Sequence, residues 1–96
     1  MATVDVSKLE VVHNPEENQF EIHLEGRMAV VEYQLAAGTM RFTHTYVPTA
    51  YESLGVGSKL ARVSLDYALA NSYKIQPACW FIAGYIERHP EYQSNL

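Results

Sequence analysis

Two glycines one residue apart, Gly55 and Gly57, sit in the stretch "YESLGVGSKL" (51–60), where β-type sequence gives way to helical sequence. Glycine there lets the backbone take a positive φ or approach another group closely, and the first turn of the following helix presents unpaired N–H groups carrying partial positive charge. Together these features suit a phosphate or pyrophosphate. On spacing alone a plain strand-to-helix turn is the simpler account, because the lysine–serine ending of a P-loop and the third glycine of a dinucleotide fingerprint are both missing.

A second set of reactive types lies outside the loop. Cys79 is the sole cysteine, and it follows a predicted strand and opens or precedes a predicted helix, where helix N–H groups stabilise a thiolate. A lone cysteine is otherwise a small buried hydrophobe, so nucleophile and pocket lining stand side by side. His44 is expected on the same strand face as Phe42 and Tyr46, where an imidazole accepts a proton near neutral pH; a hydrogen-bonded sheet histidine is the alternative. Tyr85 shares a helical neighbourhood with Ile82 and Ile86, which reads as packing. His89-Pro90 reads as a helix stop. Glu25 and Glu32 read as solubilising residues on exposed strand faces, and of Trp80 and Phe81 one is expected to seal the core while the other meets solvent or a partner.

These residues have to be positioned by a small framework. With 96 residues, 48% of them hydrophobic, the chain suffices for one core, so residues 1–96 are expected to form one domain, with 1–8 and 93–96 prone to fray. A domain this small buries only roughly 60 to 65% of the surface its unfolded chain exposes, which makes stability sensitive to a bound ligand. Seven basic residues scattered through a chain of net charge −4 form no stripe along which a nucleic-acid backbone would run. The N-terminus, Met1-Ala2-Thr3-Val4-Asp5, has neither the basic nor the apolar region of a leader, and no apolar run is long enough to span a membrane, so a cytoplasmic protein is expected. A single cysteine forbids an internal disulfide, and the histidines at 13, 23, 44 and 89 are too scattered to suggest a zinc site.

The first half alternates short β-like runs with turn signals. Leu9 to His13 leads through the turn formers Asn14-Pro15-Glu16-Glu17-Asn18 to a strand in which Phe20, Ile22 and Leu24 alternate with Glu21, His23 and Glu25. After Gly26, Met28 to Leu35 sets Ala29, Val31, Tyr33 and Leu35 on one face; after Ala37-Gly38-Thr39, Met40 to Val47 forms a fourth strand that stops at Pro48. The period then changes. Gly57 to Ser72 carries Leu60, Val63, Tyr67 and Ala68 at helical spacings, with Lys59, Arg62 and Asp66 free to stay in solvent. Ile75 to Cys79 is a short fifth strand, and Trp80 to Arg88 a second helix ending before Pro90. Strand, helix and strand in this order predict a right-handed crossover with the fifth strand parallel to the fourth. The expected class is α+β: a mixed sheet of about five strands, an antiparallel meander followed by helix, parallel strand and C-terminal helix.

This order, with "HTYVP" at 44–48, "GVGSKL" at 55–60, "PAC" at 77–79 and "HPEY" at 89–92, resembles the GNAT superfamily of acyl-CoA-dependent N-acyltransferases. More narrowly, about residues 19 to 93 look like its compact, single-domain N-acetyltransferase-like branch. The superfamily's loop pattern is arginine or glutamine, two residues, glycine, one residue, and glycine or alanine. It falls on Glu52-Ser53-Leu54-Gly55-Val56-Gly57. Glu52 stands in the arginine or glutamine place, and Ser53 and Leu54 stand where the compact branch tends to have glycine and a basic residue.

The resemblance implies that Ser53, Leu54, Gly55, Val56, Gly57 and Ser58 hold the pyrophosphate of acetyl-CoA or coenzyme A. It further implies that the fourth strand, Thr43 to Val47, offers backbone groups to the pantetheine arm beside a splayed fifth strand, with Thr45, Tyr46 and Val47 as the binding residues. Cys79 then lines the acyl pocket or acts as nucleophile, His44 is a candidate base, and Tyr85 a candidate acid for the departing thiolate. The implied function is transfer of acetyl from acetyl-CoA to a primary amine through a ternary complex, by a monomer or weak homodimer. The alternative is a non-catalytic module that keeps the fold, binding coenzyme A or a protein partner. A carboxylate at 52 is unfavourable beside a pyrophosphate unless it points into solvent.

Overall fold

A computed structural model describes residues 5–96. Four strands come first, β1 (Val11–Asn14), β2 (Gln19–Leu24), β3 (Arg27–Ala36) and β4 (Thr39–Tyr46), followed by α1 (Val56–Ala70), β5 (Lys74–Pro77) and α2 (Trp80–Arg88). They form one sheet in the order β1-β2-β3-β4-β5, antiparallel as far as β4 and parallel between β4 and β5. The α+β meander with a helical crossover is therefore the architecture, with element ends moved by one or two residues from the sequence reading. Among the described residues no helix is long and apolar enough to cross a membrane, and no group of three or more His, Cys, Asp or Glu is placed to hold a metal ion.

The hairpins turn where the sequence provides left-handed backbone. Asn18 sits at φ 53° as its N–H closes on the Pro15 carbonyl (3.2 Å). The β3–β4 hairpin has a two-residue loop with both φ positive, Ala37 at 51° and Gly38 at 79°, the pattern that matches strand twist but that favours asparagine or glycine over alanine at its first position.

The core lies on one face of the sheet. Phe20, Ile22, Ala29, Val31, Tyr33, Met40, Phe42 and Ile75 pack under Leu60, Ala61, Leu65 and Ala68 of α1 and Ile82 and Ile86 of α2. Helix α1 meets all five strands, whereas α2 packs on β4, β5 and α1. The opposite face is outside this core, and its register places Val12, Glu21, Val30 and Tyr46 in one cross-strand row. Glu21, which alternates with the core residues Phe20 and Ile22, is only 6% exposed. Its carboxylate accepts hydrogen bonds from Asn14 Nδ2 (2.9 Å) and Gln19 Nε2 (2.6 Å) and pairs with His23 Nε2 (2.9 Å). Those bonds, with Gln19 foremost, hold its pKa below the ordinary carboxylate range.

The ends of the described chain are tied down. Residues 1–4, part of the segment expected to fray, lie outside the described residues. Val6–Lys8 forms a 3-10 turn capped by Asp5, and Lys59, expected in solvent, instead donates to the carbonyls of Val6 (2.8 Å), Ser7 and Leu9. The polypeptide continues beyond α2 as a 3-10 segment, Pro90–Asn95. There the Tyr92 hydroxyl donates to Asp66 Oδ1 (2.6 Å) and Asn95 Nδ2 to the Tyr73 carbonyl (3.0 Å).

One irregularity in β4 shapes the cleft beside it. Tyr33 pairs with Phe42 but Glu32 with His44, so Thr43 has no partner and β4 carries a bulge there. A bulge shifts side-chain alternation by one residue. Phe42 shares the core face with Tyr33, and beyond the bulge Thr45, opposite Val31, shares that face, while His44 and Tyr46 turn to the other. The expectation that His44 lies on the same face as Phe42 is thus corrected: extra backbone at Thr43 reverses the pattern.

Candidate functional site

Pairing between β4 and β5 stops at Phe42 opposite Pro77. Pro77 has no N–H to continue a ladder, and two residues later the chain turns into α2. Cys79 is the N-cap of α2, and its N–H donates to the Phe42 carbonyl (2.9 Å). Beyond this point β4 has no neighbour on the β5 side, which opens a wedge between residues 43–47 and 78–81. The loop after β4 supplies the third wall. Pro48 is fully buried, Thr49–Tyr51 makes one 3-10 turn with Tyr51 buried, and Ser53 and Gly55 take φ of 67° and 89° before α1 begins. The three segments enclose a cavity of about 460 Å³.

Gly55 is the N-cap of α1 in the left-handed region and brings no side chain to cap the helix. The first bond to close is Lys59 N–H to the Gly55 carbonyl (3.0 Å). Among the described residues the N–H groups of Val56, Gly57 and Ser58 find no partner. These three amides line the cavity with the positive end of a fifteen-residue helix behind them. Gly57 has a different reason to be glycine: a Cβ there would lie 2.9 Å from Cζ of Phe81. The ring of Phe81 thus closes against the helix start.

The wedge brings Thr45 and Cys79 together. The Cys79 thiol donates to Thr45 Oγ1 at 3.4 Å, and Cys79 is buried. Without the bulge Thr45 would face away, so an irregularity in β4 sets this contact. Among the described residues no Lys or Arg lines the cavity, and Glu52, an exposed residue, is the only carboxylate that does. Attraction for an anion comes from the helix amides alone, and Glu52 opposes it.

Of the residues singled out from sequence, His44, Thr45, Val47, Ser53, Gly55, Val56, Gly57, Ser58 and Cys79 line this one cavity. Leu54 and Tyr46 do not; both side chains are exposed, and Tyr46 stands opposite Val30 on the face away from the helices. Tyr85 lies elsewhere. It lines a second cavity of about 340 Å³ with Val6, Ser7, Ser58, Lys59 and Arg62. Its ring stacks on His89 at 3.9 Å, and His89 Nδ1 hydrogen-bonds the Tyr85 carbonyl (2.8 Å). Burial holds the Tyr85 phenol above its ordinary pKa, so it stays protonated at neutral pH and can donate a hydrogen bond, but is a weaker acid than a free tyrosine.

Thr43, the first residue of the strand segment expected along the pantetheine arm, lines the cavity; sequence reasoning gave no cavity role to Tyr51, Ala78, Trp80 or Phe81, all of which are in its walls. The pair Trp80-Phe81 divides as expected for two large aromatics: Phe81 is half-buried against Gly57, and Trp80 is 84% exposed at the rim. A helix opening with two aromatics directly after the candidate thiol was the available signal.

A family model described as GCN5-related N-acetyl-transferase matches residues 19–95. Protein NATD1 of Xenopus tropicalis is 30% identical over 87 residues, 88% of this chain and 80% of that protein. Protein NATD1 of Gallus gallus is 31% identical over 85 residues (85% and 77%), and that of Homo sapiens 31% over 85 residues (85% and 75%). The family's chemistry is acetyl transfer, for which it generally uses acetyl-CoA. With a meander, a parallel fifth strand and a glycine-opened helix joined in one sheet, and with the match running from β2 to the C-terminal 3-10 segment, the chain belongs to the GCN5-related N-acetyltransferase family.

Proposed function

We propose that the main cavity binds acetyl-CoA and that the chain transfers the acetyl group to a primary amine presented at the wedge between β4 and β5. The observation that carries this reading is the meeting of two unsatisfied backbone surfaces in one cavity. One is the amides of Val56, Gly57 and Ser58, and the other is the edge of β4 that β5 leaves free. The first suits a pyrophosphate and the second an extended chain of amide groups.

Acetyl-CoA, when bound, supplies the acetyl group as an activated thioester. The chain's own contribution is to hold and orient. Cys79 and Thr45 mark the floor of the wedge, where they shape the acyl end, and His44, which lines the same cavity from the opposite face of β4, is the candidate base. Holding thioester and amine in contact is itself worth a large rate factor, so a sparse set of acid–base groups is compatible with turnover. A cytoplasmic site of action belongs to the same reading.

A second reading, a module that binds coenzyme A weakly or a protein partner without turnover, is favoured by Glu52, the carboxylate in the cavity wall. Titration calorimetry of the full chain with acetyl-CoA and with CoA separates the two. Saturable micromolar binding followed by acetylation in an amine screen supports the enzyme; binding without turnover supports the module. No heat up to millimolar ligand rejects the cavity as a coenzyme site.

A further inference from the structure

The second cavity has the opposite chemistry to the first and touches it at Ser58. It is walled by α1 through Ser58, Lys59 and Arg62, by α2 through Tyr85, and by the N-terminal turn through Val6 and Ser7. Among the described residues two cations line it and no carboxylate does. Lys59 is a fixed charge, since its ammonium is bound to the carbonyls of Val6, Ser7 and Leu9. Arg62 is exposed and, among the described residues, makes neither an ion pair nor a side-chain hydrogen bond. The carboxylate four residues along α1, Asp66, is engaged instead by the Tyr92 hydroxyl at 2.6 Å. Asp5, the residue before Val6, accepts hydrogen bonds from Ser7 N–H and Oγ.

An uncommitted guanidinium, a buried phenol and a fixed ammonium around one cavity call for a multiply charged anion. Arg62 stands one helical turn beyond Ser58, about 6 Å along the axis, and Ser58 is the last of the three free amides proposed to hold a pyrophosphate. A coenzyme whose pyrophosphate rests there carries its next phosphate one ribose away.

We infer that the second cavity is a recognition site for the 3′-phosphate of coenzyme A, with Arg62 as the contacting residue and Lys59 as the charge behind it. The inference rests on the coenzyme reading of the main cavity and adds to it a specificity: the protein distinguishes coenzyme A from its 3′-dephospho form. The Tyr85 hydroxyl serves as a donor to the same phosphate, which gives this residue a binding role in place of the acid role implied by family resemblance. Guanidinium and phosphate form the geometry-matched, charge-assisted pair that gives such discrimination.

The test is calorimetric, with CoA and 3′-dephospho-CoA titrated into the full chain and into Arg62→Gln. Arg62 is exposed, so the variant is expected to keep its melting temperature. The unaltered chain should bind CoA roughly five- to tenfold more tightly than 3′-dephospho-CoA, the range of one partly solvated charged contact. In Arg62→Gln that ratio should fall to about two or less, with the affinity for 3′-dephospho-CoA unchanged. The preference should also shrink in high salt. Equal binding of CoA and 3′-dephospho-CoA by the unaltered chain overturns this inference and leaves the main cavity's reading intact, as does a ratio that survives Arg62→Gln. Failure of both coenzyme forms to bind removes the two readings together.

Discussion

Gly57 offers a test of the cavity wall that needs no ligand. A methyl group at this position would meet the tip of the Phe81 ring at 2.9 Å, closer than carbon atoms approach one another, so the ring must swing outward in Gly57→Ala. Two effects then oppose each other. Alanine for glycine in the first turn of α1 stabilises the helix by up to about 1 kcal/mol, whereas displacing the half-buried ring forfeits contacts worth on the order of 1 kcal/mol. The single variant should therefore change stability little. In a Phe81→Ala background the steric term is gone and the helix gain is left alone, so Gly57→Ala should stabilise that protein by roughly 0.5–1 kcal/mol.

Urea denaturation of the four proteins of this cycle measures the coupling directly, with an expected interaction energy of about 1 kcal/mol. An equal effect of Gly57→Ala in both backgrounds would refute the close approach of Phe81 to the helix start. It would also remove the reason offered for glycine at a place where the family pattern accepts alanine. Should Gly57→Ala bind CoA as tightly as the unaltered chain despite a measured coupling, the ring would be a neighbour of the cavity and not part of its working wall.

Four further outcomes are expected. Glu52→Arg removes the one carboxylate from the cavity wall and should strengthen CoA binding several-fold at low ionic strength, with a steeper loss in salt; calorimetry showing unchanged affinity would place the phosphates elsewhere. Cys79→Ser should separate the thiol's roles, since loss of turnover with CoA affinity retained assigns it to chemistry and unchanged turnover assigns it to packing. Burial holds His13 below its ordinary pKa, between the Phe20 ring stacked at 4.2 Å and the Tyr33 hydroxyl at 2.6 Å. Its neutral form is the one the fold accepts, so its contribution is present above the unfolded value of about 6.5 and lost as pH falls toward the lowered folded value; urea midpoints of the chain and of His13→Gln should differ in slope across that window. Tyr92→Phe deletes the bond to Asp66 and should cost about 1 kcal/mol, read as a fall of roughly 4–8 °C in melting temperature.

Much of the fold was legible because its signals are local. Alternation at Phe20, Ile22 and Leu24, left-handed turn residues between strands, and the change of period after the glycine loop each report on a few neighbouring residues, and the observed strands and helices follow them. Glu21 escaped because alternation assigns a side, not a depth. Its burial comes from Asn14, Gln19 and His23 gathering around it, a fact about three side chains on two strands. Lys59 escaped for a similar reason: a helix surface lysine reads as solvated until a distant segment brings carbonyls to it.

The site divides along the same line. The loop Ser53–Ser58 could be found because glycine and a helix start are written consecutively, yet Thr-His-Thr-Tyr at 43–46 is compatible with either face, and only the register against β3 decides. That register inserts Thr43 as an extra residue, turns Thr45 inward to meet Cys79, and turns His44 and Tyr46 away from the core. Tyr85 shows the same limit from the helix side, since spacing along α2 cannot say which of two cavities its hydroxyl will reach. Residue types near a site are thus readable from a sequence at about the level of the segment, whereas the pairing of one reactive group with another is a property of two segments and had to come from the fold.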